Sequence, residues 1–385
     1  MTSKSDTIAT TSNEKLVIAI DAMGGDHGPR VTVPGAAQAL KREAGTHNLH
    51  FLLHGDEAQI RPELDRHPEL KAVATIVHTD QSIAMDEKPA QAIRRKGTSL
   101  FNAITSVKTK EARAIVSAGN TGALMAMSRM ILKMMAEDLE RPAIACGWPN
   151  SGGMGTVLDV GANVTSDAHQ LIEFAIMGAA FHRAVRGVQN PKIGILNVGS
   201  EDVKGHEEVR EAHRLLREGG FGLNYYGFVE GDDLFSGKVD VVVTDGFTGN
   251  IALKTAEGAA RFIKGLLRDA FKSSPFAMFG ALLASSALKL MAKRVDPGGS
   301  NGGPLLGLKG IVIKSHGGAE AWAFSNAVSV AVSLAASSYE DDIKTALAHL
   351  SEAMPPETAD KAVASGKHKV VAPEAGLAVE GTKVS

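Results

Sequence analysis

Residues 18–30 read IAIDAMGGDHGPR. An apolar strand delivers Asp21 to its end, Gly24, Gly25 and Gly28 allow a tight turn, and Pro29 with Pro34 suits the start of a helix. The same grammar recurs five times. Ala114–Val116 runs into SAGNTG, Thr156–Leu158 into DVGANV, Ile193–Leu196 into NVGSEDVKG, Val239–Val243 into TDGFTGN, and Ile311–Ile313 into KSHGGA. A parallel sheet aligns the carboxyl ends of its strands, so the six turns are expected to share one edge and form one polar, Gly-lined crevice. Open α/β folds bind ligands in such crevices. Free backbone N–H groups at the helix starts suit an anion, which points to an enzyme acting on something phosphorylated, carboxylated or both.

The chain has 385 residues, 44% of them hydrophobic, enough for a large core in one extended α/β unit or two lobes. Net charge is −2, with no extended Lys/Arg-rich run, and there are only two Trp and three Tyr. That balance argues against nucleic acid as a partner. A single cysteine, Cys146, excludes an intrachain disulfide framework and suits a reducing cytoplasm. Residues 1–14 lack the apolar core of a signal peptide and read as a disordered leader. Residues 355–385, rich in Pro, Ala, Gly, Lys and Glu, read as a disordered tail. The catalytic α/β region is thereby expected over 15–353.

Several turns carry side chains with chemistry. Gly24, Gly25 and Asp26 could hold an oxyanion on backbone N–H groups, or simply connect a strand to a helix. Ser117, Asn120, Thr121 and Gly122 supply hydroxyl and amide donors at a helix start, which suits phosphate as well as it suits N-capping. Lys204 stands beside Gly205 and His206 after a strand, where a cation can neutralise phosphate or steady a developing oxyanion. A surface lysine reads the same way. Asp245 follows VVVT and precedes a Gly-led helix start, so it is either a base or a cap favoured by the helix dipole. Asn163, Asn250 and His316 occupy comparable positions after other strands.

The stretch 261–294 departs from the pattern. On a helix, Arg261, Lys264, Arg268 and Lys272 fall on one side, and Phe262, Ile263, Leu266, Leu267 and Phe271 on the other. The uncharged run Ser273–Leu288, which includes Phe276, Phe279 and Leu283, is short for a transmembrane span and has basic flanks. Such an excursion can lie on an anionic membrane, dock an acidic protein, or form a core or dimer-interface pair. No zinc spacing, phosphate-binding P-loop, G-x-G-x-x-G fingerprint or nucleophile elbow is present, and no cofactor or metal is implied.

Taken together, IAIDAMGGDHGP, SAGNTGALMA, LDVGAN, NVGSEDVKG, DVVVTDGFTGNIALK and GLKGIVIKSHGGA resemble the PlsX-type phosphate acyltransferases, or acyl-(acyl-carrier-protein):phosphate acyltransferases. The resemblance runs in order from about Val17 to Ser337. It implies transfer of a fatty acyl group from acyl carrier protein to inorganic phosphate, giving acyl phosphate for phospholipid synthesis. It also implies a homodimer, a cytoplasmic enzyme peripheral at the inner face of the membrane, and no cofactor. The implied fold is a three-layer α/β fold with a mostly parallel sheet, akin to phosphotransacetylases and isopropylmalate dehydrogenases. On that reading the Gly24–Asp26 and Ser117–Gly122 turns hold phosphate, Lys204 stabilises negative charge, and Asp245 accepts a proton or fixes Lys204. Asn163, His206, Asn250 and His316 support them. Rival readings are a phosphotransacetylase using acyl-coenzyme A, a metal- and NAD-dependent hydroxy-acid dehydrogenase, and a membrane-recruited scaffold without turnover.

Overall fold

The computed structural model describes residues 15–353 apart from 138, 140, 220 and 289–296. The leader, the tail and the end of the 261–294 excursion lie outside the described residues. The strands are β1 (Lys15–Asp21), β2 (Asn48–Gly55), β3 (Ala74–His78), β4 (Ala114–Ser117), β5 (Ala143–Asn150) and β6 (Gly153–Leu158). They continue with β7 (Lys192–Leu196), β8 (Asn224–Val229), β9 (Val241–Val243), β10 (Gly303–Leu306) and β11 (Ile311–Lys314). The helices are α1 (Pro29–Arg42), α2 (Glu57–Leu64), α3 (Pro68–Ala72), α4 (Pro89–Ala92), α5 (Ser99–Lys108) and α6 (Thr121–Leu132). After them come α7 (Ala168–Arg186), α8 (Glu207–Glu218), α9 (Gly246–Lys272), α10 (Pro275–Leu283), α11 (Ala321–Ala335) and α12 (Tyr339–Ala353).

All eleven strands join one sheet in the order β3-β2-β1-β4-β11-β10-β5-β6-β9-β7-β8. Side chains alternate across it with the period of two that a strand imposes. Ile18 and Ile20 of β1 pack on one face with α1, α7, α11 and α12, whereas Ala19 packs on the other with α5 and α6. In the other half, Val241 and Val243 join the first face, and Val242 joins a separate cluster with Trp148, Val157 and the base of α9. Both faces are therefore covered, which makes a three-layer α/β fold. Each fully buried Ile or Leu contributes about 1.5–3 kcal/mol to that core.

The expectation of a single crevice is overturned by strand polarity. β1, β2, β3, β4 and β11 are mutually parallel. β10 runs antiparallel to β11 and to β5, and β5 runs antiparallel to β6. β6, β9, β7 and β8 are parallel to one another but opposed to β1. The carboxyl ends of β1, β4 and β11 thus lie on one edge of the sheet, and those of β6, β9 and β7 on the other. Six turns become two clusters of three.

The 27-residue α9 buries only Gly246 and Gly249. At 1.5 Å per residue it is about 40 Å long, so most of it runs clear of the body. Ser274 then caps α10, with its hydroxyl accepting from Ala277 N at 3.1 Å and Pro275 in the first turn. α10 packs on α9 and buries none of its own residues. Against the described residues, then, this pair is not ordinary core. Phe276 is 90% exposed, and Phe262, Ile263, Leu266, Phe279 and Leu283 are exposed too. No single helix among the described residues is long and apolar enough to cross a membrane.

Candidate active site

At the first edge, the turns after β1, β4 and β11 meet around one buried carboxylate. Asp21 Oδ1 accepts from Ser99 Oγ at 2.6 Å, and Oδ2 accepts from Ser117 Oγ at 2.7 Å. Burial pushes the Asp21 carboxyl up from its ordinary value, and the two hydroxyls pull it back. Ser117 Oγ in turn accepts from Gly119 N at 3.0 Å. A Cβ on Gly24 would sit 2.7 Å from both Asp21 Oδ2 and Gly119 N, so only glycine lets these two turns touch. Gly25 has a φ of +88°, and a Cβ there would stand 2.9 Å from Gly317 O. Asp26 N donates to that same carbonyl at 3.0 Å, which closes the β1 turn onto the β11 turn.

Lys314 ends β11 opposite Ser117 of β4. Its Nζ donates to Ala118 O at 3.3 Å and to Ser315 O. Burial lowers its pKa to about 8, against the pull of Asp21 and Asp26. Asn301 clamps the turn, donating to Ser315 Oγ and Ala323 O at 2.8 Å each and accepting from His316 N at 3.0 Å. His316 is exposed, and its Nδ1 accepts from Gly318 N at 3.3 Å. Asn120 caps α6 through Ala123 N at 3.0 Å, and its amide donates to Met85 O and Glu87 O at 2.9 and 2.8 Å. That side chain holds the 85–87 loop, and Gly122 is backed by Pro89. Thr121 is exposed in the first turn of α6.

The second edge centres on Asp159, also buried. Oδ1 accepts from the backbone N–H of Ile144, Gly161 and Ala162 at 3.0–3.1 Å. Oδ2 accepts from Asn163 N at 2.7 Å and Asn163 Nδ2 at 2.9 Å. Burial raises this carboxyl while the N–H donors oppose the rise. Asn163 also donates to Pro142 O at 2.9 Å, so it braces the loop. A Cβ on Gly246 would reach to 2.7 Å from Asp159 Oδ2, and one on Gly249 would overlap Asp159 O. The first turn of α9 is therefore seated directly on this loop, with Asn250 beside Gly161. Asp245 is the N-cap of α9, accepting from Thr248 N at 2.8 Å and Thr248 Oγ1 at 2.7 Å. Asn197 Nδ2 donates to Lys204 O at 3.1 Å and fixes the backbone of the β7–α8 loop. The Lys204 side chain is exposed, and so is His206 at the start of α8.

The structure thus brings Gly24, Gly25, Asp26, Ser117 and His316 together, and separately gathers Asn163, Asp245 and Asn250 on the opposite edge, where Lys204 and His206 also lie. No hydrogen bond or ion pair among the described residues joins the two clusters. Sequence reasoning placed Asp21 at its strand end without giving it a role, and passed over Ser99, Asp159 and Lys314. Asp21 and Asp159 carried a usable signal, since each is an acid directly after an apolar strand and before a Gly-rich turn. Burial pushes the Cys146 thiol up to about 12, which suits a structural residue rather than a nucleophile.

Residues 16–341 match the family described as fatty acid synthesis protein. The chain is 60% identical over 339 residues to a phosphate acyltransferase of Caulobacter vibrioides, covering 88% of this chain and 93% of that one. It is 54% identical over 344 residues to a phosphate acyltransferase of Phenylobacterium zucineum, covering 89% and 97%. Among solved structures, a phosphotransacetylase from Streptococcus pyogenes superposes with a TM-score of 0.56 at 18% identity, covering 84% of this chain and 94% of that one. A branched-chain phosphotransacylase from Enterococcus faecalis gives 0.53 at 14% identity, covering 83% and 99%, and both likenesses concern the fold.

Proposed function

The chain belongs to the phosphate acyltransferase family, and on that premise we propose that this enzyme takes a fatty acyl group from acyl carrier protein and gives it to inorganic phosphate. The product is acyl phosphate for phospholipid synthesis. The observation that carries the choice of donor is the α9–α10 arm, with Arg261, Lys264, Arg268 and Lys272 exposed beside exposed Phe and Leu side chains. A basic, apolar projection suits an acidic carrier protein and the anionic inner surface of a cytoplasmic membrane, where long acyl chains are handled. A small acyl-coenzyme A substrate requires no such arm.

Phosphate is its own nucleophile. One of its oxygens attacks the thioester carbonyl, the C–S bond breaks, and the carrier thiolate leaves. The protein has to position a dianion and stabilise developing charge. The glycine cradle of β1, β4 and β11 is the phosphate site in this reading, with Gly24, Gly25, Asp26 and Ser117 around it. Lys204 and Asp245 act from the other edge, Lys204 on charge and Asp245 on the proton. Opposed edges support a homodimer, because a second copy can set its β6/β9/β7 edge against the cradle and supply Lys204 and Asp245 there. Steady-state rates with acyl-carrier-protein and acyl-coenzyme A thioesters of the same chain test the donor. A preference for the carrier-protein thioester is expected; a preference for acyl-coenzyme A defeats the assignment.

A further inference from the structure

We propose that Lys314 is the cation that binds the phosphate substrate, an inference that rests on the phosphate acyltransfer reading. Three observations converge on it. First, it is the lysine at the floor of the cradle: β11 lies next to β4, and Lys314 is registered with Ser117, whose hydroxyl bonds the buried Asp21. Lys204 is exposed and lies at the opposite edge.

Second, its charge is incompletely matched. Both acceptors of Nζ are neutral carbonyls, those of Ala118 and Ser315. Each Asp21 oxygen is already taken by a serine hydroxyl, and no carboxylate comes within ion-pair distance of Nζ among the described residues. A largely buried ammonium without a contacting counter-charge is costly, and an incoming anion offsets that cost. One ammonium hydrogen is left uncommitted for it. Asp21 and Asp26 act on Lys314 through space and favour its charged form, partly offsetting the burial that disfavours it.

Third, glycines let the three turns pack onto one another beside it: a Cβ on Gly24 would meet Asp21 Oδ2 and Gly119 N, and one on Gly25 would meet Gly317 O. Helices α1, α6 and α11 begin at these turns, so their amino-terminal dipoles add to the positive potential.

The test uses the full chain, with inorganic phosphate as the probe. Lys314→Met removes the charge. Lys314→Gln removes it too but keeps a donor for the Ala118 and Ser315 carbonyls, so a folded neutral protein is available. Loss of one charge-assisted hydrogen bond predicts a rise of roughly 10- to 100-fold in the phosphate KM, and in the calorimetric phosphate Kd measured without any thioester. The thioester KM should change far less, and Lys314→Arg should restore much of the phosphate affinity. Unchanged phosphate binding in folded Lys314→Gln overturns the assignment. So does an Arg variant as impaired as the Gln variant, because that marks a role in packing. Direct binding keeps this separate from the reaction itself. A wild-type protein that binds phosphate through Lys314 yet makes no acyl phosphate sinks the function and leaves the site standing.

Discussion

Asp245 shows how one side chain can be argued two ways and then separated. Its carboxylate caps α9 through Thr248. Asn caps a helix about as well as Asp, so Asp245→Asn removes charge and leaves the cap. As a proton acceptor, Asp245 predicts a fall of about 10²–10⁴ in maximal rate for that variant, with an unchanged melting temperature. As a cap alone, it predicts a silent Asp245→Asn and a loss of about 1 kcal/mol in stability for Asp245→Ala. Lys204→Ala should lower turnover by about 10²-fold or more if it stabilises charge in the transition state. Normal turnover in the folded variant removes it from the chemistry. His54 makes a different prediction. It is buried at the end of β2, and burial lowers its pKa from 6.5 to about 4. Between those values the unfolded chain holds the extra proton, so the contribution is complete above pH 6.5 and is lost as pH falls toward 4. Up to about 3 kcal/mol is at stake. Melting curves from pH 7.5 to 5 should therefore fall more steeply for the wild type than for His54→Asn; equal slopes contradict this. At this scale the sequence showed which residues end strands, but not which of them are buried. Lys314 reads like any strand-end lysine until β4 and β10 close around it, and Asn120 reads like a ligand donor until the 85–87 loop takes its amide.

Helix α9 is legible as an amphipathic helix from its spacing alone, and Ser274-Pro275 marks the break before α10. What covers its apolar face is not legible from the spacing, and no described residue covers it. Replacing Phe276, Phe279 and Leu283 with polar residues should release the protein from anionic liposomes while carrier-protein affinity stays intact, since lipid binding needs buried apolar area. Co-sedimentation that survives those replacements assigns the face to a partner chain instead. Charge reversal at Arg261, Lys264 and Arg268 should weaken either contact, most visibly at low salt. The strands carry a comparable lesson. All six apolar runs form strands, because alternation and Gly-bounded ends are local signals. Their direction is not local. The clue to reversal was present in PNSGGMG, where Ser151 and Gly152 link β5 to β6 as a hairpin.

For the whole molecule, that reversal decides how the site is assembled. The fold class and the family were readable from six ordered segments, whereas the division of the segments between two edges depends on β10 and β5, strands whose antiparallel pairing is set at long range. If a second copy completes the site, Lys314→Met and Lys204→Ala chains should complement each other when unfolded and refolded together. Random pairing then leaves about a quarter of the sites with neither lesion. No recovery of activity on mixing places both residues in a site built within one chain. The central claim is the reaction, and phosphorus NMR reads it directly. Incubated with acyl-carrier-protein thioester and phosphate, the protein should give a new acyl phosphate resonance matched by one free thiol per acyl phosphate, and no thiol when phosphate is withheld. Thiol release without phosphate, or thiol release with no acyl phosphate signal, contradicts the account.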